Sequence, residues 1–118
     1  MPNYILNHKL YHDRTVQNWH RKLPDNCHAI DLDLVGICED CRAWLYLIEG
    51  ATYWDKPTTA IRWAANTLNI PAFLVVGRDD DIEGGMMIMP KRKRYDPDAL
   101  ADVLLKIRKY HHSRHHRY

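Results

Sequence analysis

Two near-continuous apolar runs fix more of this chain's architecture than any other feature: A-W-L-Y-L-I from Ala43 to Ile48, and I-P-A-F-L-V-V from Ile70 to Val76. A strand covered on one face alternates apolar and polar residues. These runs do not alternate, so both read as strands buried on both faces, in the manner of a parallel sheet. Between them Ile61, Ala64, Ala65 and Leu68 recur at helical spacing, with Pro57 in the first turn, Asp55 as cap and Asn69 as stop. Strand, helix and strand on short links form a right-handed crossover unit.

Ahead of the first run stands A-I-D-L-D-L-V, and C-E-D-C separates the two segments. The sequence predicts a strand over Cys27–Ile37, a turn over 38–43 and a second strand over Ala43–Glu49, paired as a hairpin. Asp is depleted from strands, yet Asp31 and Asp33 occupy alternate positions, which puts both on one face. A hairpin brings Glu49 near one of them. Converging carboxylates suit a hard divalent cation such as Mg²⁺, the usual partner of phosphate chemistry. The competing reading places these acids on the solvent face of an edge strand.

Elsewhere the signals are local. Thr15 caps a short helix through Lys22, stopped at Leu23–Pro24. Gly50–Lys56 reads as a loop, Asp79–Gly85 as an acidic turn, and Met86–Met89 as an edge strand ended by Pro90. The methionines there are strand filling. Asp96 or Asp98 opens a last helix through Tyr110, with Leu100, Val103, Leu104 and Ile107 inward. The expected fold is α/β: a short central mixed sheet flanked by helices, one domain over residues 1–110, and a basic His-rich tail over 111–118. A chain of 118 residues builds one core and not two.

Nothing in the sequence approaches the ~20 apolar residues of a membrane span, and the first residues lack the apolar stretch of a secretory signal. Three cysteines fit a reducing compartment better than a disulfide framework. The expectation is a cytoplasmic protein that does not enter membranes.

The net charge of +2 conceals an asymmetry. Residues 1–90 carry 8 Lys/Arg against 12 Asp/Glu, or −4, while residues 91–118 carry 9 against 3, or +6. Lys91, Arg92, Lys93 and Arg94 are consecutive. A basic segment beside an acidic site suits a polyanion, with these four residues as its nucleic-acid contacts. A solubilising tail is the alternative.

The succession D-L-D-L-V, C-x-x-C, L-Y-L-I-E, K-P-T and L-N-I-P-A-F-L-V-V resembles the PD-(D/E)XK nuclease superfamily, and more narrowly its small phage-type members. The likeness covers about residues 27–77. It implies a restriction-endonuclease-like core and Mg²⁺- or Mn²⁺-dependent hydrolysis of phosphodiester bonds in DNA. A homodimer addressing two strands and residence in the host cytoplasm, if phage-encoded, also follow from it. Residue by residue, Asp33 matches the motif aspartate, with Asp31 the less favoured occupant, and Glu49 matches the acid that ends the next strand. Together they would be the metal ligands. The motif lysine two positions on is replaced by Ala51, and Lys56 is the nearby residue able to stand in for it. No Glu lies in the first helix, where some members carry one. These departures motivate an alternative: a catalytically inactive nuclease fold that binds nucleic acid or a host protein.

Cys38-x-x-Cys41 has the spacing of a zinc knuckle, and Cys27, with His28 or His20, would complete a tetrahedral set. A single C-x-x-C pair is a weak signal, and reduced cysteines at a turn are the plainer reading. Tyr53, Trp54 and Trp63 are available for stacking on bases or for ordinary packing.

Overall fold

The computed structural model describes residues 15–23 and 32–115, and the chain divides into two units, Met1–Ile30 and Asp31–Tyr118. In the first, α1 (Thr15–Arg21) is a short helix. Its end is closed by Lys22 N–H donating to Trp19 O at 3.1 Å and Leu23 N–H donating to His20 O at 3.1 Å.

The second unit is an α/β layer structure. Its elements run β1 (Leu34–Ile37), β2 (Trp44–Ala51), α2 (Thr59–Leu68), β3 (Ala72–Arg78), β4 (Asp81–Met89), β5 (Lys93–Tyr95) and α3 (Pro97–His115). The five strands form one sheet in sequence order, β1 to β5. β2 and β3 are parallel, as the two apolar runs require, and every other pair is antiparallel.

The core sits on both faces of β3. Ala72, Leu74 and Val76 point to one side, where they pack with Leu47, Met86 and Ile88 beneath Ile61 and Ala65 of α2. Phe73 points to the other side, where its ring meets Tyr46 edge-on at 6.3 Å between centroids. Gly85 lies on that second face, and a Cβ there would meet Leu100 of α3 at 2.8 Å. The helices therefore cover opposite faces. Ala72, Phe73, Leu74 and Val76 are fully buried, which is why β3 carries no polar alternation.

Several boundaries differ from the sequence expectation, each for a physical reason. β1 begins at Leu34. Residues 24–31, where its first half is expected, lie outside the described residues, and Asp33 precedes the strand because its carboxylate bonds β2 in place of a backbone carbonyl. β2 continues through Ala51, since β3 offers ladder partners as far as Val76. α2 starts at Thr59, later than Pro57, and Asp55 does not cap it; Thr58 is the N-cap, without a side-chain bond. Asn69 ends that helix in the left-handed conformation, φ 55°, which Asn tolerates.

The acidic turn shrinks to Asp79 and Asp80, both with positive φ (53° and 68°). That is the two-residue hairpin geometry that follows the twist of its strands. β4 consequently starts at Asp81 and is interior, because β5 covers it. The basic run carries no strand signal in the sequence, yet Lys93 and Arg94 belong to the sheet's edge. Charged side chains at that edge discourage pairing with another chain. Asp96 opens α3, accepting the Ala99 N–H at 2.8 Å. The helix runs on through His115, beyond the expected end at Tyr110, so the first part of the His-rich segment is helical. No helix among the described residues is long and apolar enough to cross a membrane.

Candidate functional site

Of the acidic residues singled out in the sequence, Asp33 and Glu49 lie at one end of the sheet beside Gly50. Its N–H donates to Asp33 Oδ2 at 2.7 Å, and its carbonyl accepts from Lys56 Nζ at 2.8 Å. The same ammonium lies 2.6 Å from Glu49 Oε2. Register explains the meeting: Leu34 pairs with Ile48, so the next residue outward, Asp33, comes alongside Glu49 and Gly50. Lys56 arrives from the segment between β2 and α2. Its side chain is 33% exposed and that of Glu49 17%, so the ion pair is partly shielded from water and its attraction less screened than at an open surface.

Glu49 points to the α2 face of the sheet, in line with buried Leu47. Gly50 points the other way, and a Cβ there would stand 3.4 Å from Asp33 Oδ2. On that side an open groove of about 530 Å³ runs from Asp33 and Ile48 to the β3–β4 turn, with Asp79, Asp80 and Asp81 on its wall. Arg78, also lining it, is held by Thr52, whose carbonyl accepts from the guanidinium at 3.0 Å. The groove lies beyond the carboxyl ends of the parallel strands β2 and β3, where open α/β sheets place their ligands. Asp31 lies outside the described residues.

The basic run stands apart from the carboxylates, on the far edge of the sheet. The register nonetheless aligns it with them: Glu49 pairs with Leu74, Leu74 with Met86, and Met86 with Arg94. Arg94 thus lies in the same cross-sheet row as Glu49, three strand spacings away, or about 14 Å. Its guanidinium sits 4.2 Å from the centroid of the Trp54 ring, a cation–π contact. Lys93 lies 5.5 Å from the centroid of Tyr95, while Lys91 and Arg92 are exposed. Trp54 packs against the core cluster; Tyr53 and Trp63 are exposed.

At the opposite end of the β1–β2 hairpin the turn carries Cys38 and Cys41, both outside any disulfide. Cys38 is buried, and hydrogen bonds from the backbone N–H of Cys41, then of Asp40, draw its thiol below the usual cysteine range against the opposing effect of burial. Cys41 Sγ lies 3.2 Å from His111 Nε2, on α3. Among the described residues, Cys38, Cys41 and His111 are the group of three or more potential ligands whose donor atoms converge. Cys27 lies outside the described residues. Sequence reasoning gives the histidines at 111, 112, 115 and 116 only adventitious metal binding and does not join His111 to the cysteines, because it stands 70 positions from Cys41 in a segment whose composition reads as a tail. The helical stripe of α3, continued past Tyr110, is the signal that brings it in.

Comparison of the chain with protein-family models, with curated proteins and with solved structures finds no match.

Proposed function

We propose that this chain is a metal-dependent nuclease of the restriction-endonuclease-like type, hydrolysing phosphodiester bonds in DNA with Mg²⁺ or Mn²⁺. The observation that carries the reading is that Asp33 and Lys56 both bond the Gly50 backbone while Lys56 also bonds Glu49. Two carboxylates and a lysine at the end of a central strand are the minimum set for this chemistry, and here they come from a β-hairpin and the segment after it. Lys56 reaches the acid from outside the strand, which supplies an ammonium despite Ala51.

Asp33 and Glu49 offer carboxylate oxygens, the ligands a hard cation takes, Asp33 on the groove side of the sheet and Glu49 on the α2 side, where Lys56 holds its Oε2. A carboxylate has about four lone-pair sites, so Asp33 retains acceptor capacity while holding the Gly50 N–H. When bound, the ion supplies a Lewis acid and lowers the pKa of a coordinated water. The chain's own residues do the rest. Gly50 orients Asp33, and Asp33 and Glu49 are the residues that would hold the ion. Lys56 is placed to hold the attacking water or to offset charge developing on the phosphate oxygens. Arg94, Lys93 and the exposed Lys91 and Arg92 offer the backbone of the substrate a basic edge in line with the acids.

A second reading, a nuclease-like scaffold that binds without cutting, is favoured by two observations: position 51 is Ala, and Lys56 already pairs with Glu49. The two readings separate in one assay. Supercoiled plasmid and single-stranded DNA are incubated with the protein in Mg²⁺, Mn²⁺ or chelator. The nuclease reading expects metal-dependent cleavage that Asp33→Ala abolishes. Salt-sensitive DNA retention with no cleavage by wild type assigns the chain to the binding class, and equal cleavage by wild type and Asp33→Ala removes the site.

A further inference from the structure

The β1–β2 turn and the C-terminal half of α3 bring together a set of ligands unrelated to the acidic end of the sheet. The turn is built to present both its cysteines at one point. Cys38 N–H donates to Ala43 O at 2.9 Å, and Arg42 N–H donates back to Cys38 O at 2.8 Å. Arg42, immediately after Cys41, takes a positive φ of 65°. A left-handed residue at that place is costly for a side chain larger than glycine's, and here it reverses the chain under the two thiols. The N–H groups of Cys41 and Asp40 donate to the Cys38 sulfur, the kind of backbone support that orients a metal-binding thiolate.

His111 then enters from α3. Its Nε2 lies 3.2 Å from Cys41 Sγ, and the three donor atoms all lie within 4.8 Å of one another. A tetrahedral zinc ion with Zn–S of ~2.3 Å and Zn–N of ~2.0–2.1 Å needs donor separations of roughly 3.5–3.8 Å. The observed separations, from 3.2 Å to no more than 4.8 Å, bracket that range. Hydrogen bonds already join the three groups, Cys41 to His111 and Cys38 to Cys41, so thiols and imidazole stand in contact where an ion would replace their shared protons.

We infer that Cys38, Cys41 and His111 bind a zinc ion that ties the end of α3 to the β1–β2 turn. Two sulfurs and an imidazole select a borderline-soft metal and reject Mg²⁺. Among the described residues the converging donors number three. Closing the hairpin onto the helix fastens α3 at its far end, beyond the Leu100 contact that holds its start.

The test uses the full chain, stripped of metal by chelator under reducing conditions and titrated with Co²⁺ as a reporter. The expected result is one ion per chain, with thiolate-to-cobalt charge transfer and the intense visible bands of tetrahedral Co²⁺, displaced by Zn²⁺. Removing even an outer partner of a ligand costs about 10–100-fold in metal affinity, so Cys41→Ser and His111→Ala should each weaken binding by more than ~100-fold. Cys41 is exposed and His111 only half-buried, so both variants should keep the far-UV spectrum of the metal-free wild type. Should Cys41→Ser perturb the fold, His111→Ala alone decides. Asp33→Ala should bind like wild type. No thiolate band in wild type overturns the inference. So does retention of the ion by His111→Ala, or its loss in Asp33→Ala, which would place it at the acidic end.

Discussion

At one end of the β1–β2 hairpin the converging groups are oxygens and an ammonium, from Asp33, Glu49 and Lys56. At the other they are two sulfurs and an imidazole, from Cys38, Cys41 and His111. The ends are separated by β1, a strand of four residues, so by about 13 Å. At the oxygen end Asp33 and Gly50 line a groove of about 530 Å³. The sulfur end lies where a helix lands on a turn, beside a cleft of about 370 Å³ shared by Leu45 and Arg108. On the proposed readings, hard ligands at one end leave room for substrate and solvent, and soft ligands at the other fasten two elements together, so that one hairpin would separate a site for chemistry from a site for stability.

The sharpest way to break that division is to cross the variants. Asp33→Ala or Glu49→Gln should lower metal-dependent cleavage by at least ~10²–10³-fold, the scale on which groups facing transition-state charge act, without altering the zinc content. Loss of zinc along with cleavage would show one site instead of two. Next in size is the effect of metal on folding. At a free Zn²⁺ concentration 100 times Kd the ion should stabilise the chain by about 2.7 kcal/mol, read as a rise in Tm. His111→Ala should remove that rise and leave cleavage intact.

The hairpin's own packing can be probed between its ends. Gly36 pairs with Tyr46, and a Cβ on Gly36 would overlap the Tyr46 ring, which covers the glycine and reaches Phe73. Gly36→Val should therefore destabilise the chain by about 1–3 kcal/mol in denaturant unfolding and disturb both ends alike. The smallest effect concerns substrate. Reversing Lys91 and Arg92 to Glu should weaken DNA binding evenly across sequences and reduce the salt slope by about one for each phosphate left without its cation. Both side chains are exposed, so stability should be unchanged.

Much of the sheet is legible because burial on two faces leaves a plain signature. The run through Phe73 and Leu74 reads as a parallel strand, and Asn69 reads as a helix stop. The edge is not legible. Lys93 and Arg94 form a strand with no apolar signal at all, held by β4's ladder and by rings of Trp54 and Tyr95, and this makes the expected edge strand an interior one. Two-residue turns also hide in acidic stretches: Asp79 and Asp80 turn the chain by their own tolerance of positive φ. Around Gly50 the neighbourhood of Asp33 and Glu49 follows from hairpin register, and that is sequence information. The meeting of Cys41 with His111 does not, because it depends on the tilt and length of α3, set by packing across the whole sheet.

The most direct measurement is a titration with Mn²⁺, followed by electron paramagnetic resonance, of zinc-loaded wild type and Glu49→Gln and of zinc-free His111→Ala. The account predicts that wild type and His111→Ala each take up one Mn²⁺ per chain and that Glu49→Gln takes up none. No Mn²⁺ uptake by wild type, or undiminished uptake by Glu49→Gln, would contradict the assignment of the oxygen end as the catalytic metal site.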